Sequence, residues 1–160
     1  MKNLLLVLLV SVLLIGCGGN EPQNTELEKT STKRVLIDEL TNKGTNQSPV
    51  MYSEKGLFNG IGFDNYDNGQ LEYESNYKNG KKNGLMKRWY KSGSVHYEKN
   101  YNDGEMDGLQ KLFHKNGQLD MRGNYTDGER DGVFKYYSEN GQLKYEKKYK
   151  NGERIDKQLR

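Results

Sequence analysis

The sequence predicts an all-β protein, an elongated repeat array of stacked antiparallel β-hairpins with a 24-residue period and about four repeats. Three observations predict it. Thirteen glycines fall into three columns spaced 24 residues apart without insertion or deletion: Gly56, Gly80, Gly104, Gly128 and Gly152; Gly60, Gly84, Gly108 and Gly132; and Gly69, Gly93, Gly117 and Gly141. A fixed period in this range marks units that pack only on their neighbours. Between the glycines, apolar or aromatic residues recur at alternate positions, as in Leu71, Tyr73 and Tyr77, which is the period of a strand. Finally, a hydrophobic content of 32% with 12 tyrosines is too poor in aliphatic side chains for an ordinary compact core. It suits a thin sheet whose apolar face is built from tyrosine.

Residues 1–16 read as a signal peptide. Lys2 gives a positive start, and residues 4–15 are apolar except for Ser11. That run is too short for a bilayer core of roughly 30 Å, which needs about 20 residues as helix, so the segment is set aside from the fold. Leu14-Ile15-Gly16-Cys17 resembles a bacterial lipobox, which makes Cys17 the site of lipidation and the first residue of the mature chain. Cys17 is the sole cysteine, so no internal disulfide forms. Two or more acyl chains, at ~0.8 kcal/mol per buried methylene, make a lasting anchor. The expected location is the bacterial cell envelope. In a diderm it is the outer membrane facing the periplasm, by analogy, since Gly18 is not the aspartate of inner-membrane retention.

Residues 17–33 comprise the lipidated cysteine and a flexible tether almost without large apolar side chains, with a reach of roughly 20 Å. Residues 34–55 form an N-terminal cap and lead-in. Val35-Leu36-Ile37 is an edge strand or cap, residues 41–49 are loop, and Val50-Met51-Tyr52 runs into the first repeat. Residues 56–160 are the hairpin repeats. In the clearest copy, Asn83-Gly84 opens a strand over residues 85–90, Lys91-Ser92-Gly93-Ser94 turns, and residues 95–101 form the second strand. Asn-Gly at 68–69, 116–117 and 140–141 predicts type I′ turns, with Gly69, Gly93, Gly117 and Gly141 as the structural turn glycines.

Alternation assigns faces. Leu71, Tyr73, Tyr77 and their equivalents are expected on one face together with Leu85, Trp89, Leu109, Phe113, Val133 and Tyr137. The column Tyr77, Tyr101, Tyr125 and Tyr149 is read as packing between hairpins; the other reading is an aromatic platform for sugars or bases. The opposite face is expected to be polar, except where Met86, Arg88, Tyr90, Leu112, His114, Phe134 and Tyr136 would gather into one patch over repeats two to four. Such a patch marks a candidate partner-binding surface, unless a second layer or a dimer mate covers it.

Several chemistries find no support. Loss of Lys2 takes the basic count from 25 to 24, against 22 acidic residues, with the signs interleaved, so no nucleic-acid footprint stands out. Two histidines without a second cysteine cannot assemble a usual zinc site. Asp103-Gly104-Glu105-Met106-Asp107-Gly108 resembles the start of a calcium loop, but the bidentate position falls on His114, so it reads as a turn between hairpins. No nucleophile elbow or phosphate loop occurs, and the chain is expected to be no enzyme, with no metal and no cofactor.

The unit Gly80-x-x-x-Gly84-Leu85-x-x-x-Trp89-Tyr90-x-x-Gly93-x-Val95 resembles the bacterial variant of the MORN repeat. So do Phe113-His114-Lys115-Asn116-Gly117-Gln118-Leu119 and Tyr136-Tyr137-Ser138-Glu139-Asn140-Gly141-Gln142-Leu143, and the resemblance covers about residues 57–153. Lipobox, tether and repeats together are similar to bacterial lipoproteins grouped as an antitoxin-like or immunity-like family. The resemblance implies a non-catalytic, membrane-anchored scaffold with a protein partner and no nucleic acid, its membrane contact made through the N-terminal lipid. The alternative is a binder of cell-wall glycan or lipid headgroups.

Overall fold

The computed structural model describes residues 32–45 and 49–156. The leader, Cys17 and the tether up to residue 31 lie outside the described residues. Strand β1 is Arg34–Leu36, followed by a 3-10 turn, Ile37–Glu39, and the short strands β2 (Thr41–Asn42), β3 (Met51–Ser53) and β4 (Gly56–Leu57). The repeats supply β5 (Gly60–Asn65), β6 (Leu71–Lys78), β7 (Lys81–Trp89), β8 (Val95–Asn102), β9 (Glu105–Met106), β10 (Gly108–Phe113), β11 (Leu119–Thr126), β12 (Glu129–Tyr137), β13 (Leu143–Lys150) and β14 (Glu153–Arg154). One sheet runs β1-β5-β6-β7-β8-β10-β11-β12-β13-β14, with β9 pairing on β8, and β2-β3-β4 form a second, small sheet. Every pair is antiparallel except β1 with β5. The hairpins therefore join edge to edge into one meander.

Two turn types alternate along it, and their positions differ from the sequence expectation. The Asn-Gly turns after β5, β10 and β12 are three-residue loops: Gly69 N–H donates to Tyr66 O at 2.8 Å, Tyr66 N–H donates to Gln70 O at 2.8 Å, and only the glycine has positive φ (80°). This is a type I turn closed by a left-handed glycine. Gly93, Gly117 and Gly141 hold φ of 89°, 85° and 83° in the same way. Asparagine recurs before the glycine because its side chain caps the loop: Asn68, Asn116 and Asn140 Oδ1 accept the N–H two residues on at 3.2, 3.0 and 3.2 Å. The type I′ turns lie on the other edge, at Asn79-Gly80, Asp103-Gly104, Asp127-Gly128 and Asn151-Gly152, where both residues have positive φ. Asp103 of the calcium-like segment is thus a turn residue, and it accepts Lys81 Nζ at 2.7 Å.

Cross-strand register corrects the face assignment. Residues directly opposite in an antiparallel pair share a face. Tyr73 pairs with Arg88, Arg88 with Tyr97, Ser75 with Met86, and Gly123 packs under Phe134. Met86, Arg88, Leu112, Phe134 and Tyr136 consequently lie on the tyrosine face, and Leu85, Leu109 and Val133 lie on the other. A bulge in each second strand adds to the change. Arg88 faces Tyr97 and Trp89 faces Val95, which leaves His96 as the extra residue. The same shift between Tyr73 and Leu71 turns Leu71 away from the tyrosines.

The core has two centres. Val35, Ile37, Leu40, Met51 and Phe58 pack around Tyr77, so the N-terminal segment covers the first repeat. Met121, Phe134 and Tyr149 form the second, flanked by Leu112, Tyr125 and Tyr136. Between them Tyr97, Lys99 and Tyr101 are only half-buried. On the opposite face charges pair across strands: Arg34 with Glu74 at 2.9 Å, Lys87 and Lys111 with Glu98 at 2.9 and 3.3 Å, and Lys135 with Glu146 at 2.6 Å.

Candidate binding surface on the tyrosine face

The tyrosine column sits in a fixed setting. Tyr77, Tyr101, Tyr125 and Tyr149 face Gly60, Gly84, Gly108 and Gly132 on one neighbouring strand. On the other they face Lys82, Met106, Arg130 and Arg154. A ring beside a bare glycine covers exposed backbone, which is why tyrosine and glycine recur together. Two rows further along the strands, beyond the row of Ser75, Met86, Lys99, Gly123, Phe134 and Lys147, Tyr73, Arg88, Tyr97, Leu112, Met121, Tyr136 and Tyr145 stand opposite one another across seven strands. At ~4.8 Å between strands this row is roughly 29 Å long. Its members are half-buried apart from Met121, which is buried, and Tyr145, which is 48% exposed and stacks on Tyr136 at 4.6 Å.

Cations lie over these rings. Lys82 Nζ is 5.7 Å from the Tyr73 ring centre and 5.1 Å from that of Tyr101, and Lys99 Nζ is 4.8 Å from that of Tyr97. Arg130 covers Tyr149 at 5.1 Å and donates to the Tyr125 and Tyr149 hydroxyls at 3.3 and 3.1 Å. Lys147 sits 5.4 and 5.3 Å from Tyr136 and Tyr145. Burial, reinforced by Lys99, lowers the Lys82 ammonium below its ordinary value, and burial lowers Lys99 as well. In the same surroundings burial pushes the Tyr101 phenol up to about 12, and drives Tyr73 further still with the Tyr77 hydroxyl beside it at 3.2 Å. Each of these shifts reflects poor access to water. A cavity of about 330 Å³ opens where the cap meets this face, lined by Ile37, Pro49, Tyr73, Tyr77, Lys82 and the ion-paired Arg88 and Glu72.

Of the seven residues proposed from sequence, five are brought to this face, and Tyr90 and His114 lie just past the ends of β7 and β10. Arg88, Leu112 and Tyr136 belong to the half-buried row. Met86 and Phe134 are interior, at 5% and 0% exposure, and present nothing to a partner. Tyr90 and His114 fasten one repeat to the next: the Tyr90 hydroxyl donates to Phe113 O at 2.9 Å, and His114 Nε2 lies 3.1 Å from Tyr137 O. Tyr66 does the same to Trp89 O at 2.6 Å. The sequence reading missed Lys82, Lys99, Arg130 and Lys147. Their signal was present in the period, since Lys82 and Arg130 share one repeat slot and Lys99 and Lys147 another.

Residues 58–79, 82–103, 106–127 and 130–151 each match the MORN repeat variant. The chain belongs to the MORN repeat variant family. The four matches cover more than half of it, and no curated protein matches the chain. Each MORN unit ends on the first residue of a type I′ turn, at Asn79, Asp103, Asp127 or Asn151, and encloses one type I loop. In this chain each matched unit is thus a hairpin closed by the type I loop, with an asparagine cap in three copies and Ser92 in the remaining one, and the type I′ turns join MORN unit to MORN unit.

Proposed function

We propose that this MORN repeat protein is a non-catalytic bacterial lipoprotein, anchored in the envelope through Cys17, that binds a protein partner on its tyrosine face in the manner of an antitoxin or immunity protein. The observation that carries the reading is the row from Tyr73 to Tyr145. Its aromatic and cationic side chains stand half-buried or exposed, and among the described residues the N-terminal segment packs its apolar side chains around Tyr77 of the first repeat. Tyrosine and arginine at the edge of water are the residue types on which protein interfaces concentrate binding energy.

The test is cross-linking from solubilised envelope, using the full-length chain with a photoreactive group in place of Leu112, which lies in the same row beside Tyr97. One stoichiometric protein partner, lost with Tyr97→Ala and Tyr145→Ala, is the expected result. A second reading, recognition of cell-wall glycan or lipid headgroups, is favoured by the Tyr136–Tyr145 stack, which offers an aromatic surface of the kind sugars lie on. Retention on purified wall or lipid without a protein adduct selects that reading instead.

A further inference from the structure

Charge is divided unequally between the two faces. On the face away from the tyrosines, Arg34, Lys87, Lys111 and Lys135 each hold a carboxylate within 3.3 Å. On the tyrosine face Lys82, Lys99, Arg130 and Lys147 rest on rings and hydroxyls, and none of the four has a carboxylate partner among the described residues. A ring face offsets only part of what an ammonium loses on leaving water. Half-buried cations without a carboxylate therefore collect on the aromatic side. The unpaired cations opposite, Lys78, Arg122 and Lys148, are all exposed to water, and Lys111 and Lys135 beside Arg122 are neutralised.

The four cations also form two stations. Lys82 and Lys99 are on adjacent strands β7 and β8, Arg130 and Lys147 on adjacent strands β12 and β13, and the MORN unit between them carries Met106 and Gly123 in the same slots. Four strand spacings separate β7 from β12, roughly 19 Å, which an extended chain spans in about six residues. We infer that the tyrosine face receives an extended acidic segment of a protein partner, with one group of carboxylates seated at Lys82 and Lys99 and a second at Arg130 and Lys147. This rests on the reading of that face as the docking surface, and adds the chemistry of what docks. Desolvation of Lys82 and Lys99 makes an incoming carboxylate worth more there than at a hydrated lysine.

The probe is a fluorescent peptide with two Glu-Glu pairs about six residues apart in a Gly/Ser background, carrying a photo-cross-linker, and its Gln-Gln counterpart. Both are titrated against the full-length chain in detergent by anisotropy. The expected result is binding of the Glu peptide about tenfold or more tighter than the Gln peptide, weakening with salt, with adducts at Tyr97 or Tyr145. The double variant K82M/K99M, which keeps the apolar stems, should lose that preference, and K147M, beside the exposed Tyr145, should weaken it without unfolding the sheet. Adducts on the tyrosine face with equal affinity for both peptides would leave the docking surface standing and overturn the acidic partner. Adducts around Arg122 would overturn both. Capture by anionic phospholipid vesicles in place of the peptide would assign the stations to a membrane and overturn the inference.

Discussion

Gly123 holds the slot that Ser75, Lys99 and Lys147 fill in the other repeats, and its missing Cβ is what lets Phe134 lie on the sheet. A Cβ there would fall on the Phe134 ring at 2.3 Å. Gly123→Ala should therefore displace a fully buried ring and destabilise the fold by about 1–3 kcal/mol, the usual range for overpacking, as read from urea unfolding. The tyrosines set the alkaline limit in a similarly local way. A phenol whose folded pKa is raised above the unfolded value of about 10 contributes stability at lower pH and loses it as pH rises through the folded value. For Tyr101 that window runs from about 10 to about 12. Lys82 and Lys99 act in the opposite sense, since their lowered folded values add stability as pH rises toward the unfolded value. Melting temperature should accordingly hold up to about pH 10 and fall between 10 and 12, and Tyr101→Phe should make the fall shallower. An unchanged alkaline profile in Tyr101→Phe would mean that this phenol does not govern it.

At the scale of the element, two kinds of turn and one bulge decide where every side chain goes. Gly117 closes a three-residue loop at φ 85°, a conformation that a β-branched residue adopts only under strain. Gly117→Val should cost about 1–3 kcal/mol, while Lys115→Ala in the same loop stays near wild type; equal urea midpoints for the two would refute this. Strand positions and the 24-residue period were legible in the sequence because glycine columns and strand alternation are local signals. Which apolar set of the first strand joins the tyrosines was not. Leu85 and Trp89 form one alternating set, Met86 and Arg88 another, and only the pairing of Arg88 with Tyr97 chooses between them. The Asn-Gly dipeptide misled for a related reason: Asn116 is present for its side-chain hydrogen bond to Gln118, not for a positive φ. As for the proposed binding surface, the sequence reading and the structure agree in bringing Arg88, Leu112 and Tyr136 together, in one row. Phe134 looked the same in the sequence, yet the vacancy at Gly123 draws it inside.

For the molecule as a whole, stability is a sum over neighbouring strands, with the tyrosine hydroxyl bonds from Tyr66 and Tyr90 as ties between repeats. The proposed anchoring through Cys17 is independent of the sheet. Cys17→Ala is expected to shift the protein from the membrane fraction to a soluble or unprocessed form without altering the melting of the sheet, and mass spectrometry of the membrane-bound wild type should find Cys17 acylated. The meander also dictates an order of assembly. From β6 onward each strand pairs with the one made just before it, except that β10 docks on β8 past the two-residue β9, so a chain delivered N-terminus first can add to its sheet as it emerges, with no loop left waiting for a distant partner. β1 is the exception. It is made first but docks on β5, more than 20 residues later, and it does so in parallel. Until β5 arrives, Val35 and Ile37 have no sheet to cover, so the cap that is earliest in the sequence is completed only once the first repeat begins to form.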